Sequence, residues 1–507
     1  MKNYNRRYLM PLFMAALLVS SCTSLDESPF SEVTPENFYQ TESELIAAVV
    51  PVYSNLYRYF WNPSNLAEVS SDEIFIPQRG GDWGDNGRWR SIQEHTWTAT
   101  LSDVEGGWLD SYTGVALANS TLDNLQSTTS DSPLIPTFIA EVRVLRAFYY
   151  WWLCDLFGGV PIVTSATTDP DNPPKPNTRA EVYDFIVKEI TESLPTLEES
   201  FGAGNYGRVT KGAANAFLAT VFLNGEVYSG APKWNETVAT CDAIINSGLY
   251  ELLPAYADNF KIANEGPSNT ETIFVIPTKP EGGVSFNFNM RTLHYNQIPE
   301  NPWNGFAVLA DFYSTFDTTD VRFDHLLVGP QLVLGGPNAG QPATDRQGNV
   351  LDFTVNSPIV GATEANGPRI LKWEVDPNRS GGDNGNDYAF FRFSHILLAK
   401  AEALNELNGP NQESIDLINQ VRARCFTPAK PIALADFATK EALRDRILDE
   451  RGFELLWEGY RRQDLIRTGH FLDAWSLKAP SDPHRVLFPI PQTQLDANPN
   501  LVQNPGY

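Results

Sequence analysis

From Phe138 onward, large apolar side chains recur at Val142, Leu145, Tyr149, Trp152 and Leu156, in alternating steps of four and three residues. Steps of that size place all six on one stripe of an α-helix, and so broad and aromatic a stripe has to be covered by other helices. The spacing predicts a helix over residues 136–157, stopped by Gly158-Gly159 with Pro161 beyond. The same period returns at 107–125, 211–228, 234–246, 391–407, 412–424 and 441–460. Another helix is expected from Thr34, as N-cap with Pro35 in the first turn, towards Tyr59. A Pro-rich link at 169–177 ends in a T-x-x-E capping box, Thr178 and Glu181, which opens a further helix. Residues 61–107 are rich in Gly, Asp, Asn and Trp and read as irregular. Between 252 and 385 the helical period is lost, leaving loops, strand-like runs such as 272–277, and one short helix at 307–316.

These patterns predict a mainly α fold: a tetratricopeptide-like helix-pair scaffold with a long loop-rich region and small β elements. The repeat consensus itself is not met, so the expectation rests on helix pairing. One body is expected over 34–507. Residues 34–250 and 391–484 would form the scaffold, and 251–390 the loop-rich, ligand-binding part.

The N-terminus reads as an address. Lys2, Arg6 and Arg7 precede an apolar run over 8–19, too short to span a bilayer, and Val19-Ser20-Ser21-Cys22 resembles a lipobox. The expectation is a signal peptide over 1–21, acylation of Cys22, and a lipidated tether over 22–33 carrying Asp26-Glu27. The remaining cysteines, Cys154, Cys241 and Cys425, are odd in number and lack CxxC spacing, so no disulfide framework is implied.

With 62 acidic against 37 basic residues, a charge of −25, the chain lacks the basic face that a nucleic-acid partner requires. The charge also disfavours polyanionic ligands. No GxSxG, HExxH, P-loop, strand-linked GxGxxG or paired CxxC occurs, and the six histidines are scattered. No cofactor or metal site is expected. Gly381 to Asp387 lacks the closing Glu of a calcium loop and reads as a polar turn.

Several segments, in order, resemble the SusD/RagB family. They are Leu25-Asp26-Glu27-Ser28-Pro29 with Thr34-Pro35-Glu36-Asn37-Phe38-Tyr39, then Leu145-Arg146-Ala147-Phe148-Tyr149-Tyr150-Trp151-Trp152-Leu153 with Phe157-Gly158-Gly159-Val160-Pro161. Arg392 to Ala403, Glu450-Arg451-Gly452-Phe453-Glu454-Leu455, Gly459 to Leu465, and Phe488-Pro489-Ile490-Pro491 complete the set. The resemblance implies four tetratricopeptide-like helix pairs and a non-catalytic surface lipoprotein of the outer membrane. It also implies capture of oligosaccharide and its delivery to a TonB-dependent (SusC-like) transporter. Two other readings stay open: an exported glycan hydrolase, and a structural transporter subunit without its own sugar site. The family motifs read as scaffold, with Arg146, Arg392 and Arg451 expected in structural pairs.

A sugar offers a flat C–H face and a rim of hydroxyls, matched by an aromatic plane beside amides, carboxylates or guanidinium groups. Of the 12 tryptophans, Trp108, Trp151, Trp152, Trp234 and Trp457 fall on expected helices and read as core. Trp61, Trp83, Trp89, Trp303 and Trp373 fall in loop-like segments. The first candidate cluster is Trp83 and Trp89 with Asp82, Asn86 and Arg88. The second is Arg291, His294, Tyr295, Asn296 and Trp303. Net acidity points to a neutral glycan such as a glucan.

Overall fold

The fold is seen in a computed structural model that describes residue 39 and residues 41–169, 171–280 and 286–507. The expected signal peptide, Cys22, the tether and the Thr34 cap lie outside the described residues. The principal helices before the loop-rich stretch are α1 (Glu42–Ser54), α2 (Asn62–Val69), α3 (Ser102–Ser127), α4 (Ile135–Phe157), α5 (Arg179–Ser193), α6 (Lys211–Leu223) and α7 (Trp234–Ile245). After it come α8 (Phe393–Asn408), α9 (Gln412–Arg422), α10 (Lys440–Leu455) and α11 (Arg461–Thr468).

The helices pack as sequence neighbours, α3 on α4, α6 on α7, α8 on α9 and α10 on α11, with α5 laid back against α4. This is the mainly α, helix-pair scaffold that the periodicity predicts. All six residues of the α4 stripe are buried, and Tyr150, Trp151 and Leu153 between them are buried too. From Val144 to Phe157 the helix is covered on every side, not along a stripe alone. Gly158 closes it at φ 80, a conformation costly for a side chain with a Cβ. Arg146 sits in α4 as a structural pair, with Nη2 2.5 Å from Glu189 Oε2 and Nη1 donating to Asn119 at 2.8 Å.

Two antiparallel strands, β1 (Thr272–Ile276) and β2 (Tyr388–Arg392), form the neck of the loop-rich stretch, with Val275 opposite Ala389 and Ile276 opposite Tyr388. β2 runs directly into α8, and α7 packs on α8, so the scaffold is continuous across the excursion. At the neck, Arg392 reaches Glu271 at 2.6 Å, Glu454 at 3.0 Å and Glu458 at 2.8 Å, all buried. Arg424 joins Glu271 and Glu454, and Arg322 joins Asp320, Glu450 and Glu454. Buried charges of this kind offset their desolvation only as a complete, hydrogen-bonded set.

Several boundaries differ from the periodic expectation. The first described helix starts at Glu42, where Thr41 and Glu44 make a reciprocal capping box. Residues 391–392, expected to open a helix, instead end the strand Tyr388–Arg392, because aromatic side chains here pack across the β1 ladder. The 211–228 run breaks at Asn224, whose side chain donates to Gln463 of α11. The 441–460 run stops at Leu455, since Trp457 and Gly459 take positive φ. Residues 62–69, read as irregular, form α2 with Pro63 in its first turn. Ala307–Val308 is a strand, and the short helix follows at Ala310–Thr315.

Cys154, Cys241 and Cys425 are free and buried. Burial pushes the Cys154 thiol up to about 11.

Candidate functional site

Two chain segments far apart in sequence are joined by a two-residue clasp. Ile74–Phe75 pairs antiparallel with Ala307–Val308, with Ile74 opposite Val308. The clasp sets the loop after residue 75 beside the loop that ends at residue 306. The two sequence clusters, expected as separate candidates, thereby become one surface.

The junction is explicit. The Trp83 indole N–H donates to the Trp303 carbonyl at 2.7 Å, and Tyr295 Oη donates to Asp82 at 2.5 Å. Arg346 arrives from a third loop. It donates to Asp82 at 3.1 Å, pairs with Glu364, and lays its guanidinium 4.1 Å from the Tyr295 ring centre. Burial, then the bond to Asp82, raises the Tyr295 phenol above its ordinary value. Burial opposes ionisation of Glu364, yet Arg346 and His294 together hold it below the usual carboxylate range.

The loop backbone is unusual. Trp83, Asp85 and Asn86 take positive φ of 60, 35 and 54. Asn and Asp tolerate this region and Trp does not, so surrounding contacts must enforce it at Trp83. Those contacts are Phe306, edge-on at 6.0 Å, and Trp89 at 5.8 Å. Gly305 completes the seat, because a Cβ there would lie 2.4 Å from the Trp83 ring.

The sequence candidates divide by exposure. Trp303 is 37% exposed, Asn86 is exposed, and Asp82, Trp83, Arg88, Tyr295 and Asn296 are half-buried. Trp89 is a correction. It is 5% exposed, on a short helix, with its N–H donated to Asp85 at 2.6 Å and Arg88 stacked 4.1 Å from its ring. Lacking aliphatic neighbours in its own loop, it finds cover against Phe306 instead. Arg88 is held by Asp103 at 2.6 Å. His294 is also buried: Nδ1 accepts from Asn296 N–H at 3.2 Å, which leaves Nε2–H to donate to Glu364 at 3.0 Å. Burial lowers its basicity, so it stays neutral and positions the loop. Asn296 spends its amide on the Thr344 carbonyl at 2.8 Å. Arg291 is 2% exposed and lies under the surface.

Sequence reasoning missed Arg346 and Glu364. They lie in a Gly- and Asn-bearing stretch whose one aromatic, Phe353, is buried, and nothing local signals that they meet Asp82 and His294. The electrostatics beneath the site are also unlike the scaffold's. Arg79 and Arg369 are buried and bond carbonyls and the Asn304 amide, whereas the scaffold arginines bond carboxylates. A small cleft lined by Gln78, Trp83, Asn86, Arg90 and Val360 opens alongside. The arrangement offers indole and phenol surfaces next to a carboxylate, an amide and a guanidinium. That is equipment for holding a polyhydroxylated ligand.

Fold and site thus define a helix-repeat protein that carries a loop-built surface with aromatic side chains. The chain belongs to the SusD family, whose description matches residues 246–479 and 470–507. Residues 24–223 match a second family described as starch-binding and associating with the outer membrane. Among curated relatives, SusD-like protein P25 of Formosa agariphila is 26% identical, covering 98% of this chain and 99% of the relative. Starch-binding protein SusD of Bacteroides thetaiotaomicron is 23% identical over 99% of both chains. Among solved structures, surface glycan-binding protein A from Bacteroides thetaiotaomicron, in complex with laminarihexaose, superposes with a TM-score of 0.74. It is 23% identical, covering 92% of this chain and 100% of that one. A laminarin-binding SusD-like protein gives 0.73 at 24% identity, covering 92% of this chain and 100% of that one.

Proposed function

We propose that this protein captures oligosaccharide at the cell surface, without catalysis, and passes it to a TonB-dependent outer-membrane transporter. The observation that carries the reading is the merged surface, where Trp83 and Trp303 meet the Asp82–Tyr295–Arg346 rim. Stacks of this kind contribute about 0.5–1.5 kcal/mol each beyond buried area, a grip weak enough to release its ligand. A charge of −25 favours a neutral glycan such as a glucan, and the structural relatives, one in complex with laminarihexaose and one named as laminarin binding, agree with that choice. Anchoring through Cys22 at the outer membrane follows from the lipobox-like N-terminus and is in keeping with the second family's description. Family membership supports the transporter partner.

Affinity electrophoresis on a panel of neutral and acidic polysaccharides tests the reading. Retardation by a neutral glucan is expected, and retardation by acidic polymers alone would overturn the neutral assignment. Release of reducing ends from a retarding polymer would convert the protein to a hydrolase. Co-purification of a barrel transporter with no sugar binding by the isolated protein would make it a structural subunit.

A further inference from the structure

Trp61 stands between a 3-10 turn, Asn55–Phe60, and α2, and 42% of it is exposed. Beneath it lies Arg291, 2% exposed. Its Nε donates to Asn287 at 2.9 Å, while both terminal nitrogens are buried without a hydrogen-bond partner. Among the described residues no carboxylate meets this guanidinium, whereas Arg322, Arg392, Arg451 and Arg462 are all paired with acids. Instead its Cζ lies 4.7 Å from the Trp61 ring centre, 5.0 Å from Phe288 and 5.7 Å from Phe306. A cation so placed is attracted by the ring faces around it and fixes the indole plane from behind. Burying a guanidinium with two unpartnered nitrogens is costly, so holding Trp61 in place is the evident return.

Polar groups adjoin Trp61 along the chain, Arg58 before it and Asn62 after it, and both reach Asp110. Asn62 donates to Asp110 at 2.8 Å, and the guanidinium of Arg58, largely exposed, stands 4.0 Å from the same carboxylate. An exposed indole with an exposed guanidinium, Arg58, three residues before it in the chain offers the same kinds of group as the surface around Trp83 and Trp303. The two surfaces share one support. The Arg291 carbonyl accepts from Gly305 and Phe306 N–H at 2.8 and 2.9 Å, and the Phe306 ring meets Trp83.

We propose that Trp61, held by Arg291, is a second saccharide-stacking subsite, so that the protein takes extended oligosaccharides in preference to short ones. This rests on the glycan-capture reading above. The test is titration calorimetry with an oligosaccharide ladder, laminaribiose to laminarihexaose first, or the corresponding ladder from whichever polymer is retarded. Wild type, Trp61→Ala and Trp303→Ala are compared, each with its melting temperature. Wild-type affinity is expected to rise with chain length. Trp61→Ala should lose about five- to tenfold on the hexasaccharide, with little change on the trisaccharide and none in melting temperature. Trp303→Ala should weaken every length. Equal hexasaccharide affinity for wild type and Trp61→Ala would overturn the subsite while leaving glycan capture standing. An equal loss at every length, accompanied by a lower melting temperature, would make Trp61 structural. No binding of any ladder by wild type would overturn capture and subsite together.

Discussion

Trp89 and Trp303 carry the same side chain in opposite surroundings. Trp89 is 5% exposed and hydrogen-bonded, so Trp89→Ala is expected to cost about 3–5 kcal/mol in chemical denaturation. Trp303, 37% exposed, should lose sugar affinity on truncation with a stability change within about 0.5 kcal/mol. Burial likewise decides the titrating residues. It pushes Glu68 up to about 8 from its ordinary 4.5. Between those values the folded chain holds a proton that the unfolded chain releases. The Glu68 contribution is therefore full below about 4.5 and lost as pH rises through 8. Glu68→Gln is expected to flatten that alkaline decline in melting temperature. His95 works on the other limb: burial depresses it to about 3, so its contribution is present above 6.5 and lost as pH falls. Loop membership of Trp83 and Trp303 was legible from the sequence, whereas Trp89 falls on a short helix. Which of them face water was not legible, because that depends on whether a partner such as Phe306 arrives from another segment.

Elements position the site through two short pairings. The clasp of Ile74–Phe75 on Ala307–Val308 sets the two loops side by side, and Gly305 leaves room for Trp83 against it. Gly305→Ala is expected to push the indole off its seat, lowering sugar affinity in calorimetry far more than it lowers melting temperature. The neck depends on Arg392, which answers three buried carboxylates. Arg392→Met would leave this buried acid cluster one cation short, and a loss of about 3–5 kcal/mol is expected in denaturant titration. Helices with a strong period were legible along the chain. The two-residue clasp strands were not, since each is defined by hydrogen bonds to a partner more than two hundred residues away.

At the scale of the molecule, one continuous core runs from the first described helix through the neck to the C-terminal tail, with two small satellite clusters in the loop-rich part. A single cooperative calorimetric transition is therefore expected, with hydrogen exchange fastest around the satellites. The described cysteines are free and buried, so reductant should leave the melting temperature unchanged. The charge of −25 sets the long-range field and excludes phosphate-neutralising partners, yet beneath the site buried arginines bond carbonyls, amides and ring faces.

The sequence by itself determined the helical scaffold, the absence of recognised catalytic motifs and the family, because periodicity, capping and contiguous motifs are local properties of the chain. Tertiary structure alone decided that two candidate clusters form one surface, that Arg346 and Glu364 complete it, and that Trp89 is core while Trp61 stands open over Arg291. Those outcomes follow from which distant segments meet, and burial, hydrogen-bond satisfaction and charge pairing are set only by that meeting.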